Sequence, residues 1–260
     1  MTSVHPTIPH VVHQVWVGNS PLPAQKRLIT QSWRCIPGWT YRLWGDQDIS
    51  KRNFPRTYAT IQEVRRLNRP PAMIADLMRY EIIFTHGGVY ADVNIELLRP
   101  ERLQACIDEG ADLILCHEDD DLVDGVMSCG FFAAVAGHAA LRRLLAHVPN
   151  LDLRKPANIA TGPYFFGRFV HDGDPSTHLL PTQAIYPFAP GSSRTCSVGQ
   201  GCSRACPDSI AIDHFELGCT WCTADHRHQR TILSFTVAAL LLVVGLAWRR
   251  QCRRPAPPRR

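Results

Sequence analysis

The apolar positions of this chain switch between two periods. From Pro23 to Trp33, Tyr58 to Leu67, Ala72 to Thr85 and His138 to Ala146 they recur every three or four residues, which predicts helices. Short runs at Val11 to Val17, Tyr41 to Trp44, Val89 to Ile95, Asp112 to Cys116 and Gly130 to Val135 predict strands. Strands alternating with helices predict an α/β domain with a mostly parallel central sheet, whose ligand sites lie at the C-terminal strand edges. The stretch from Ser176 to Cys206, rich in Pro, Gly and Ser, reads as an irregular closing loop.

The segment from Ala72 to Glu96 concentrates the candidate chemistry. Pro70-Pro71 opens a helix, and Met73, Leu77, Tyr80 and Phe84 form its apolar stripe, with Asp76 and Arg79 one turn apart. His86-Gly87-Gly88 ends it. Val89, Ala91, Val93 and Ile95 then alternate with Tyr90, Asp92, Asn94 and Glu96, so Asp92 and Asn94 are expected on one strand face. A strand end of this kind can hold a metal against a phosphate. Taken alone, the same residues also describe an ordinary turn and a helix-surface ion pair.

Charge and hydropathy change the picture at the C-terminus. The formal net charge is +5, but six arginines lie within residues 249–260, so the remainder is close to neutral and nucleic acid is not an expected partner. Residues 231–248 form an uncharged apolar run, ~27 Å long as a helix, which predicts one transmembrane helix followed by a basic Arg/Pro tail. The arginines favour a cytosolic tail and a lumenal domain. The short stretch before Ile8 leaves no room for a signal peptide and argues the other way. The expected layout is a catalytic domain over 1–225, with a Cys-rich closing segment at 190–225, then the membrane helix at 231–248.

Ten cysteines are many for this length. Cys35, Cys106, Cys116 and Cys129 read as small core residues. Cys196, Cys202, Cys206, Cys219 and Cys222, with His214, His226 and His228 nearby, are compatible with disulfides, with free thiols or with a structural zinc ion.

A further series of short motifs runs in order along the chain. It begins with Ile8-Pro9-His10, His13-Gln14-Val15-Trp16-Val17-Gly18, Ser32-Trp33 and Pro37-Gly38-Trp39, followed by Leu43-Trp44 and Asp46. It continues with Ala75-Asp76-Leu77-Met78-Arg79-Tyr80, Gly87-Gly88-Val89-Tyr90, Asp92-Val93-Asn94 and Thr161-Gly162-Pro163, then His214 and Thr220-Trp221. Together these resemble the glycosyltransferases with a DXD sugar motif, retaining enzymes of GT-A fold that include yeast-type mannosyltransferases, capsular sugar transferases and, distantly, the large clostridial glucosylating toxins.

The resemblance implies a GT-A-like nucleotide-sugar-binding domain that moves a hexose from a UDP- or GDP-sugar to a glycan or lipid acceptor. It implies Mn²⁺ or Mg²⁺ held by Asp92, Asn94 and His214. Trp16, Asp76, Arg79, Tyr90, Thr220 and Trp221 would bind the donor, and Asp92, Asp76 and Arg79 would serve catalysis. With the apolar run it implies a single-pass membrane protein, in a Golgi- or ER-type secretory membrane if the source is eukaryotic. The chain departs from the family at Asn94, where a second aspartate is usual. An amide oxygen ligates hard cations less tightly than a carboxylate, which leaves a catalytically impaired, membrane-tethered sugar-binding protein as the alternative. Glu96 and the acidic run Glu118 to Asp121 are further carboxylates within reach of such a site.

Overall fold

The computed structural model describes residues 6–215, apart from 19, 119–125, 171–175, 189–195, 197 and 200. In chain order the elements begin β1 (Val11–Val15), α1 (Ala24–Arg34), β2 (Thr40–Trp44), α2 (Tyr58–Arg66), α3 (Pro71–His86) and β3 (Gly88–Ala91). There follow β4 (Ile95–Leu97), α4 (Pro100–Asp108), β5 (Leu113–Cys116), β6 (Phe131–Ala134) and α5 (Ala139–His147). The short α6 (Ala157–Ala160) and α7 (Pro163–Phe166), then β7 (Thr177–Leu180), α8 (Cys202–Ala205) and β8 (Ala211–Asp213), complete the series.

Six strands form one sheet in the order β2-β1-β3-β6-β5-β7. The β1/β2, β1/β3 and β5/β7 pairings are parallel, and β6 runs antiparallel to both its neighbours. Strand alternation splits the core into two layers. Tyr90, Phe132, Leu113 and Leu115 face α2, α3, α5 and α7, whereas Val89, Ala91, Phe131, Ala133 and Ile114 face α1 and α4. The result is a three-layer α/β unit with a mostly parallel sheet, as the periodicity predicts.

Several expectations are corrected by the structure. The strand predicted from Val89 to Ile95 is two strands. At Asp92 the chain leaves the sheet through a turn in which Ile95 N–H donates to the Asp92 carbonyl, and β4 then pairs with β8 in a separate two-stranded sheet. Asp92 and Asn94 therefore lie in a turn and share no strand face. The irregular loop expected from Ser176 to Cys206 contains β7, formed by parallel pairing with β5, and the single helical turn α8. Helix α4 was not expected. It opens on Pro100 and buries Leu103 and Ile107, four apart on one face.

The membrane expectation is also corrected. No helix among the described residues is long and apolar enough to cross a membrane. The longest, α3, has 16 residues, ~24 Å of helix, and carries Asp76, Arg79 and Glu81 buried in the domain. The predicted span at 231–248 and the tail lie outside the described residues. Among the described residues the architecture is the α/β unit without a membrane helix, and single-pass membrane localisation has no support there.

Two glycines bring α3 onto β3. Gly87 and Gly88 have φ of 65° and 96°, in the region that disfavours side chains. A Cβ on Gly88 would lie 2.5 Å from the Val11 backbone oxygen, and one on Gly87 2.8 Å from Ala136 N. The reversal is therefore tight, and it sets the N-terminal half of α3 beside the C-terminal end of β3.

Beneath that reversal His13 is held neutral. Trp44 Nε1 donates to His13 Nδ1 at 3.1 Å, while the opposite ring nitrogen, Nε2, meets the Gly87 carbonyl at 3.2 Å. Protonating Nδ1 would set two N–H groups against each other. Burial, followed by the charge of His86, lowers the His13 pKa to about 4. Because the folded value lies below the unfolded one, the stabilisation is fully present above pH ~6.5 and is lost as pH falls from ~6.5 to about 4, for a total of about 3 kcal/mol. Asp76 acts in the opposite sense over part of this window, so the difference from a His13→Gln variant isolates the histidine. We expect the urea-midpoint advantage of the natural chain over that variant to be larger at pH 7.5 than at pH 5. An advantage independent of pH would show that the imidazole is not held neutral.

Candidate active site

Strands β1 and β3 are parallel neighbours and deliver Trp16 and Asp92 to one edge of the sheet. Gln14 ties the two together. Its side-chain amide donates to the Asp92 carbonyl at 3.1 Å and its oxygen accepts from Tyr41. The chain entering β6 completes the edge, since Asp92 N–H donates to the Gly130 carbonyl at 2.8 Å. Gly130 also leaves room for the carboxylate: a Cβ there would lie 3.0 Å from Asp92 Oδ2.

The N-terminal half of α3 supplies a buried ionic network. Arg79 Nη2 lies 3.0 Å from Asp76 Oδ1 and 3.1 Å from Asp92 Oδ1, and Nη1 donates to the Cys129 carbonyl at 2.7 Å. Its guanidinium carbon stands 4.7 Å from the centre of the Tyr90 ring, whose hydroxyl donates to Asp92 Oδ1 at 2.6 Å. Thr161, at the end of α6, donates to Asp76 Oδ2 at 2.6 Å. Burial pushes the Asp76 carboxyl up to about 6, against the lowering influence of Arg79 and Thr161. Burial alone would pull Arg79 down, but Asp92, Tyr90 and Asp76 hold it well above the usual arginine value. The network thus fixes Asp92 Oδ1, while the Asp92 side chain stays 30% exposed.

Asp213 and Lys26, which the sequence does not assign to the site, converge on the same place as Glu118, which the acidic run puts within reach of it. Asp213, at the end of β8, accepts from Asn94 Nδ2 at 2.5 Å, and burial, then the charges of Asp92 and Glu118, raise it well above the carboxylate range. Glu118, just beyond β5, is raised to about 7 by burial and then by Asp92. Lys26 on α1 is 6% exposed, and its ammonium lies 5.1 Å from the centre of the Trp16 ring. Burial lowers its pKa against the charges of Asp92 and Asp213. Two signals in the sequence mark these residues. Lys26 puts a charge at the start of the face it shares with Ile29, Thr30 and Trp33, and Asp213 closes the apolar run Ile210-Ala211-Ile212. Asp119, Asp120 and Asp121 lie outside the described residues.

The remaining expected residues are distributed as follows. Trp16 is half-exposed, its ring nitrogen donating to the Ser20 carbonyl. Asn94 faces Asp213. His214 turns its Nε2 to Glu96 Oε2 at 2.8 Å, while its backbone N–H donates to the Asn94 carbonyl. Thr220 and Trp221 lie outside the described residues. In the Cys-rich segment Cys196 and Cys202 form a disulfide, Cys206 is a buried free thiol, and Cys219 and Cys222 lie outside the described residues.

Residues 23–110 match the family model described as a glycosyltransferase sugar-binding region containing a DXD motif. An uncharacterized glycosyltransferase, L373, of Acanthamoeba polyphaga mimivirus is 29% identical over 95 residues, which make up 34% of this chain and 36% of that protein. The chain thus spans 36% of the length of the curated relative it matches. Among solved structures, the PaToxG glycosyltransferase is 14% identical with a TM-score of 0.47, covering 63% of this chain and 69% of that one. A glycosyltransferase involved in glycosylation of the major capsid of PBCV-1 is 10% identical with a TM-score of 0.42, covering 79% and 93% respectively. The sequence matches bear out the resemblance to DXD glycosyltransferases. The region matched by the family model contains Lys26, Asp76, Arg79, Tyr90, Asp92 and Asn94.

Proposed function

We propose that this chain is a glycosyltransferase that moves a hexose from a nucleotide-sugar to a glycan or lipid hydroxyl with the help of a divalent cation. The observation that carries the reading is the electrostatic convergence of Asp92, Asp213 and Glu118 beside the DXD-type turn. Half-buried carboxylates, two of which are raised first by burial and then by the charges of their neighbours, with one lysine near them, fit a site built for added positive charge. Asp92 Oδ2 and the amide oxygen of Asn94 would hold Mn²⁺ or Mg²⁺, with Asp213 beside them. When bound, such a cation neutralises charge growing on the departing diphosphate.

The protein's own groups do the rest. Trp16 offers a half-exposed ring on which a nucleotide base can stack. Lys26, beneath that ring and toward the carboxylates, adds a fixed positive charge where the diphosphate would lie. Arg79, Asp76 and Tyr90 act as positioning residues that hold Asp92 in one orientation. The likeness to retaining enzymes extends the proposal to attack on the face that the diphosphate vacates. A panel of UDP- and GDP-sugars with Mn²⁺ tests the reading. One nucleotide class should raise the melting temperature and be hydrolysed slowly. A panel that produces neither effect overturns it.

Asn94 favours a second reading, a sugar-binding protein with impaired turnover, because it contributes no charge and its Nδ2 is directed at Asp213. Asn94→Asp separates the two. The variant sets a second carboxylate against Asp213, so without cation it should lose about 1–3 kcal/mol of stability. With Mn²⁺ it should regain that stability and reach half-maximal activity at roughly tenfold lower metal, given a charged ligand in place of a neutral one. A melting temperature as indifferent to Mn²⁺ in the variant as in the natural chain would remove residue 94 from the cation site. Donor hydrolysis that appears only in the variant would establish the impaired reading.

A further inference from the structure

At the β4/β8 pair a second constellation uses side chains other than those gathered around Asp92. Glu96, Cys202 and His214 bring one ligand atom each within 4.8 Å of one another. They come from three separate pieces of chain: β4, the start of α8, and the residue after β8. Glu96 and His214 side chains are 9% and 8% exposed. Gly199 N–H donates to Glu96 Oε1, which leaves Oε2 aimed at His214 Nε2. Ile212, Cys206, Leu98 and Phe188 pack around the sulfur end and keep it dry. An imidazole, a carboxylate and a sulfur converging in a closed apolar surround are a borderline-soft donor set, suited to zinc rather than to magnesium or calcium.

Cys202 is held in a disulfide with Cys196, only six positions earlier. As a disulfide sulfur it cannot act as an anionic ligand. We propose that Glu96, Cys202 and His214 form a redox-gated zinc site. In oxidising conditions the Cys196–Cys202 bond holds the segment. Under a dithiol reductant that bond takes two electrons and two protons, the reductant becomes the disulfide, and two thiols result. The freed Cys202 thiol then loses its proton as the Zn–S bond forms, and His214 and Glu96 supply nitrogen and oxygen ligands. Three protein ligands leave a fourth position for water. The disulfide closes only the short loop within the segment, whereas the zinc would fasten the start of α8 to β4 and to the end of β8. This zinc site shares no ligand with the cation proposed at Asp92 and stands whether or not the chain transfers sugar.

The full chain carries other cysteines and histidines, so the test rests on paired variants. Cys196→Ser leaves Cys202 a permanent thiol, and Cys196→Ser/Cys202→Ser removes it on the same background. Zinc affinity is read by competition with a chromophoric chelator under a phosphine reductant, and cobalt is substituted for zinc to read the thiolate charge-transfer band. We expect the single variant, and the natural chain only after reduction, to hold one zinc more than the double variant and to show the cobalt band. Glu96→Gln and His214→Gln in the Cys196→Ser background should each weaken that zinc by roughly 10- to 100-fold. Equal zinc content and equal spectra for the single and double variants overturn the proposal. An undiminished affinity in both Glu96→Gln and His214→Gln does so as well, and these two variants leave the sulfur chemistry untouched if the double variant fails to fold.

Discussion

Replacing Asp92 with Asn should reduce donor hydrolysis and transfer by roughly 10²–10³-fold while leaving the domain folded. The amide has the shape of the carboxylate, so its oxygen can keep the Tyr90 hydroxyl at 2.6 Å and the Arg79 contact at 3.1 Å. The change falls on the second oxygen, Oδ2, which becomes an uncharged N–H donor. A group that should attract positive charge would then repel it. Fold stability should move little, because the lost attraction to Arg79 is offset by relief of repulsion with Asp213 and Glu118. The measurement pairs the hydrolysis rate of the preferred nucleotide-sugar with a melting curve. Unchanged turnover with an unchanged melting curve would take Asp92 out of the chemistry, whereas a collapsed melting curve would show that its role is structural.

The parts of this arrangement that were legible in the sequence share a physical property: they are local. Gly87-Gly88 after an apolar helix stripe announces a tight reversal, and the reversal alone places Asp76 and Arg79 beside the end of β3. Trp16 and Asp92 follow from a strand ending in each case. What was not legible depends on pairing across long separations. Val89 to Ile95 alternates cleanly, yet Asp92 N–H is taken by Gly130 and Ile95 pairs with Asp213, more than a hundred residues on, so the apparent strand breaks at its most important residue. Asp213 and Lys26 join the site for the same reason. Neither stands near Asp92 in sequence, and each is brought there by packing of α1 and β8 against β4. The sequence-adjacent pair Asp213 and His214 diverges, one meeting Asn94 and the other Glu96. Spacing along the chain cannot decide which way each points.

Arg79→Met should be the most destabilising single change in the site, by about 3–5 kcal/mol, because it removes one member of a buried ionic network and leaves its partners charged. Asp76 and Asp92 would face each other across the vacated guanidinium, and the Cys129 carbonyl would lose its donor. For a domain of this size that corresponds to a fall in melting temperature of roughly 6–20 °C. Arg79→Lys should recover only part of the loss, since one ammonium cannot reach Asp76, Asp92 and the carbonyl together as the planar fork does. The pH dependence identifies the cause. The Asp76 pKa is already raised to about 6 in the fold, so the folded state retains a proton that the unfolded chain releases from pH ~4 upward, and stability declines as pH rises through that window. Without Arg79 the Asp76 value must rise further, and the loss relative to the natural chain should be smaller at pH 5 than at pH 8. Adding Asp76→Asn to Arg79→Met removes the uncompensated charge and should restore part of the stability and flatten that pH dependence, a coupling that a double-mutant cycle measures directly. A deficit equal at both pH values and unrelieved by Asp76→Asn would mean that Arg79 contributes packing rather than charge, and that something other than the ionic network orients Asp92.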